Sequence, residues 1–135
     1  MTKWAKSLIR ISNHEVETIQ KRVAEIAGRR WSVEVQIAAL DAEVEAETAY
    51  AADAAEVGVY MIGFREGAKI RRTALELKLA DIEIEEEGAR DALAEAFETL
   101  KKYEHVVDAA KLAARKEEDR RETAELDELG LRKRS

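Results

Sequence analysis

From Ala5 to Ala51 a seven-residue register runs along the chain without a break. One seam position is filled by Ile9, Val16, Val23, Arg30, Ile37, Val44 and Ala51, the other by Ala5, Ser12, Ile19, Ile26, Val33, Leu40 and Glu47. Eleven of the fourteen are apolar and the exceptions are isolated. A globular amphipathic helix needs a wider apolar face, so 3-4 spacing sustained over this many heptads predicts a coiled coil. Gly28 costs about 1 kcal/mol against Ala inside such a helix, but it does not shift the register.

A second register follows. Ala68, Leu75, Ile82, Ala89, Ala96, Tyr103 and Ala110 hold one seam position; Arg72, Leu79, Glu86, Leu93, Leu100 and Val107 hold the other. The small members let a partner backbone approach closely. Between the two runs lie Gly58, Gly63 and Gly67, three of the chain's 6 glycines. Glycine supplies left-handed backbone at low steric cost, so the reversal is expected here, without a choice among the three. The fold expected is all-α: a long antiparallel two-helix coiled-coil hairpin and a single domain. Helix 1 is expected over about 3–55, the turn over about 56–63, helix 2 over about 64–129, and a frayed basic tail over 130–135. Arms of about 50 residues at ~1.5 Å per residue give a length of ~75 Å. Helix 2 extends past helix 1 at the open end.

Composition agrees with a thin structure. The 135 residues include no Pro and no Cys, are 39% charged and only 5% aromatic. Without Cys there is no disulfide, thiolate zinc site or thiol nucleophile. The opening apolar run is interrupted by Arg10 and Ser12, and no later stretch reaches spanning length, so the chain reads as soluble and cytoplasmic, with no membrane insertion. The net charge of −6 disfavours nucleic acid. Charge alternates in blocks: +4 over residues 1–31, −7 over 32–64, +3 over 65–80, −7 over 81–98 and +1 over 99–135.

The chemistry-bearing residues favour solvated faces over sites. His14 and His105 each fall five places after a seam residue, so both point away from the interface. Neither is preceded at three residues by a Glu, as di-iron bundles require. Asp81, Glu83, Glu85, Glu86 and Glu87 lack the dry pocket that would separate their pKa values. The stretch Gly63–Lys69 does not have the order of a phosphate-binding loop. No enzyme, cofactor or metal site is expected. Exposed apolar groups point instead to binding surfaces. At the turn these are Tyr60, Met61, Ile62 and Phe64. At the open end they are Trp4, Leu8 and Ile11, collared by Lys3, Lys6 and Arg10, with Arg132, Lys133 and Arg134 nearby if the hairpin forms.

These residues resemble the FliJ family, small coiled-coil proteins of the bacterial flagellar type III export apparatus. The likeness begins at Leu8-Ile9-Arg10 and His14-Glu15-Val16-Glu17, and includes the aromatic Phe64 at the start of helix 2. It continues through Ala89-Arg90 and Leu100–Glu104, and is sharpest over Glu122–Leu129, an Asp-Glu-hydrophobic signature before a basic end.

The resemblance implies a non-enzymatic stalk, monomeric when alone and peripheral to the inner-membrane export apparatus. Its expected partners are the export ATPase hexamer, whose ring assembly it promotes, and the cytoplasmic domain of the export gate. Export chaperones are further partners. It implies ring contacts through Leu8, Ile11, Leu126 and Leu129, and gate contacts through Phe64, Ala68, Arg71 and Leu75. Two alternatives stay open: the equivalent stalk of a virulence secretion system, and a structural coiled-coil scaffold.

Overall fold

The computed structural model describes residues Thr2 to Arg134, the side chains of Thr2, Ala55 and Arg134 excepted. Helix α1 spans Thr2–Ala52, a short 3-10 turn spans Ala55–Val57, and helix α2 spans Gly58–Arg134. There is no strand among the described residues. The chain is an all-α helical hairpin. No helix among the described residues is long and apolar enough to cross a membrane.

The contacts divide into two units, Thr18–Leu93 and Met1–Glu17 with Ala94–Ser135. In the first, Ile26, Val33, Ile82 and Ala89 form a buried cluster with Val23, Ile37, Leu75 and Leu79 packed against it. All eight are register positions, so the seam is the core. Leu40, Met61 and Ala68 are buried in the same unit. In the second unit Ala5, Ser12 and Val16 of α1 are buried, as are Ala96, Leu100 and Val107 of α2. Every seam position of α1 is shielded at least in part; on α2 only Arg72 is exposed.

The reversal lies N-terminal to the glycines, and its chemistry differs from the sequence expectation. The Asp53 N–H donates to the Tyr50 carbonyl at 3.3 Å, Ala54 to Ala51 at 3.2 Å, and Val57 to Ala54 at 3.1 Å. These i to i−3 bonds tighten the end of α1 and satisfy carbonyls that a helix terminus otherwise leaves open. No described residue, glycine included, has positive φ. Gly58 opens α2, and Gly63 and Gly67 are ordinary helical residues within it. A 3-10 connection reverses the chain with right-handed backbone alone, so the glycines are not needed for it. At the other end α2 continues through Gly130 to Arg134, where the sequence reading places a frayed tail. Ser135 lies outside the described residues.

Candidate interaction surfaces

Two of the polar exceptions in the registers, Arg30 and Glu86, find each other within the unit Thr18–Leu93. The Arg30 Nε donates to a Glu86 carboxylate oxygen at 2.8 Å, and Arg30 also reaches Glu34 at 2.9 Å. Glu86 is only 14% exposed and accepts a longer contact from Arg90 at 3.5 Å. The hydrogen bond from Arg30 holds the Glu86 carboxyl below its ordinary range, against the opposing effect of desolvation. Arg72, the second helix's other exception, grips Asp41 through Nε and a terminal nitrogen at 2.9 and 3.1 Å. That hydrogen bonding lowers the Asp41 carboxyl in the same way. Arg29 pairs with Glu85 alongside. Across one unit, three Arg–carboxylate pairs therefore fix the stagger of α1 against α2, as charges beside a coiled-coil seam do.

The four residues expected at a gate surface divide. Ala68 is buried, and Leu75 packs on the core cluster. Phe64 is half-buried and stacks with Tyr60 at 6.1 Å between ring centroids, while Arg71 is exposed and its Nε donates to the Gly67 carbonyl at 3.4 Å. Around the turn Met61 is buried, whereas Tyr50, Val59, Tyr60 and Ile62 are exposed. The tip packs on itself in part and leaves an apolar surface over.

The four residues expected at a ring surface do not form one patch. Leu8 is half-buried and Ile11 exposed on α1; Leu126 and Leu129 are exposed on α2. Ala110 is the last shielded residue of α2, and every described side chain after it is exposed. Leu126 lies sixteen residues further, about 24 Å at ~1.5 Å per residue. Arg132 and Lys133 lie further still, about 33 Å past Ala110 at ~1.5 Å per residue, so the single basic collar with Lys3, Lys6 and Arg10 expected from sequence does not form; Arg134 lies outside the described side chains. Within this segment the ion pairs are helical neighbours, Arg120 with Glu117 at 2.9 Å and Arg132 with Glu128 at 3.3 Å.

His14 and His105 are both exposed. Among the described residues no three His, Asp or Glu side chains are arranged to hold a metal ion. The hollows beside the seam are open grooves, one of them lined by Arg29, Val33, Lys78, Ile82 and Glu85 among others.

One feature escaped the sequence reading. Ile70, Leu77 and Ile84 repeat at seven residues and are 68%, 64% and 70% exposed. Their spacing equals that of the seam, two residues out of phase, and that second phase is the signal that could have revealed them.

No family model matches the chain, and no solved structure matches it. The flagellar FliJ proteins of two strains of Caulobacter vibrioides are each 56% identical to it over 133 residues, covering 98% of this chain and 96% of theirs. With identity at that level across nearly the whole of both sequences, and with an all-α hairpin beneath it, the chain belongs to the FliJ family.

Proposed function

We propose that this protein is a non-enzymatic stalk and adaptor of the flagellar type III export apparatus. It sits in the pore of the export ATPase hexamer, favours ring assembly and contacts the cytoplasmic domain of the export gate. It also escorts export chaperones. The observation that carries this reading is α2 beyond Ala110, a helix with every described side chain exposed. A helix of that length that buries nothing is only marginally stable by itself, so its leucines gain most by inserting between other surfaces.

Coupling in this reading comes from fit. A helix that touches several subunits at once binds the assembled ring better than separate subunits, and the equilibrium moves by that difference in affinity. The contact residues are Leu126 and Leu129 on the free segment of α2, with Leu8 and Ile11 forming a second patch. Gate contact falls to Phe64 and Arg71, because Ala68 and Leu75 serve the seam. The FliJ relatives support the flagellar setting.

The test is to add the protein to the cognate export ATPase and follow hexamer fraction and ATP turnover. Both should rise, and Leu126→Asp/Leu129→Asp should abolish the rise without changing the helical signal. An unchanged hexamer fraction with the wild-type chain defeats the proposal.

A further inference from the structure

At about 100° per residue, a position two residues after a seam residue lies about 200° around the helix, opposite the interface. Ile70, Leu77 and Ile84 stand two after Ala68, Leu75 and Ile82, all of them buried or packed on the core. They therefore occupy the outermost line of α2, where a coiled coil has charged or polar residues. The next two positions of that line, Asp91 and Glu98, are polar. Ala74 and Ala80 lie between the three large residues and extend the apolar strip. Within the unit Thr18–Leu93, this stretch of α2 is thus apolar on two opposite faces, and only one of them is covered.

The strip reads the same in both directions about Leu77: Ile70, Ala74, Leu77, Ala80, Ile84. Its charges do not; they invert. Lys69 and Arg71 flank the N-terminal end, and Asp81, Glu83, Glu85 and Glu87 flank the C-terminal end. These lie at the boundary between the block of charge +3 over residues 65–80 and the block of −7 over 81–98. A two-fold axis through Leu77 lays a second helix antiparallel on the first. Ile70 then meets Ile84 of the other copy, and each basic end lies beside an acidic one. Such a surface is self-complementary, which an isologous dimer contact requires.

We infer that the outer face of α2 around Leu77 is a docking surface for a second copy of this chain, paired antiparallel. The contact is small, below the roughly 1,200 Å² of standard interfaces, and is therefore weak. The chain is monomeric when dilute and pairs where copies are concentrated. This goes beyond the stalk reading and does not rest on it: the residues offered to the ring belong to the other unit, and of the two offered to the gate only Arg71 borders the strip.

Sedimentation equilibrium of the full chain over a wide concentration range tests the inference. The weight-average mass should climb from the monomer's 15.2 kDa toward twice that value. Leu77→Lys should weaken association by about tenfold or more. The variants Lys69→Glu/Arg71→Glu and Asp81→Lys/Glu83→Lys should each remain monomeric, since the first makes both ends of the strip acidic and the second cancels the charge of the acidic end. Mixed in equal amounts, they should recover the dimer. All five side chains are exposed, so melting curves should match wild type in every case and separate lost pairing from lost folding. A wild-type mass fixed at the monomer value, or a dimer indifferent to the charge reversals, overturns the proposal. So does a mixture that fails to pair.

Discussion

Arg30 and Glu86 interrupt their registers at facing positions, and each makes the other tolerable. A carboxylate this shielded is expensive to leave alone, so Arg30→Leu should lower the melting temperature. The double change Arg30→Leu/Glu86→Leu should bring it back to wild type or above, because a continuous apolar seam needs no compensating pair. Paired thermal melts of the single and double variants check this. In the core cluster, Ile26→Ala should cost about 2–3 kcal/mol, the low end for an aliphatic truncation because a two-helix seam can close partly around the gap; chemical denaturation measures it. That these positions form a seam was legible from the heptads. The pairing of Arg30 with Glu86 and of Arg72 with Asp41 was not, because it depends on the stagger between helices, and periodicity along one strand of sequence carries no stagger.

For the helices, the register of both arms could be read from sequence nearly residue by residue, whereas the reversal between them could not. Glycine clustering suggested left-handed backbone, but Gly63 is an exposed helical residue and a Cβ placed on it meets nothing within 4 Å. Gly63→Ala should therefore stabilise the protein by about 0.5–1 kcal/mol, read as a raised melting temperature; a turn glycine would give the opposite sign. The ring and gate residues were harder to read. Burial decides which of Phe64, Ala68, Arg71 and Leu75 are available, and two of the four already serve the seam. In the segment of α2 after Ala110 every described side chain is exposed, so little packing holds its hydrogen bonds closed. Its amides should exchange with deuterium far sooner than those around Val33 and Ile82, and mass spectrometry of the two regions will show the contrast.

At the level of the molecule, pH acts through the same ion pairs. Folding lowers the pKa of Glu86 and Asp41, so their contribution is complete above the ordinary carboxylate range and is lost as pH falls through the folded-state values. The melting temperature should hold steady from neutrality down to about pH 4 and drop below it, and the drop should shrink in Arg30→Leu. Melts at a series of pH values check both.

The division of the chain into units has a consequence for its birth on the ribosome. Residues 1–17 gather with residues from Ala94 onward, so on the ribosome the earlier stretch waits for one made later. Until then its apolar edge, from Ala5 through Val16, emerges uncovered, while Thr18–Leu93 has all it needs to zip closed from the turn. Residues 18–93 therefore have their core partners among themselves before the residues that cover Ala5 to Val16 have been made.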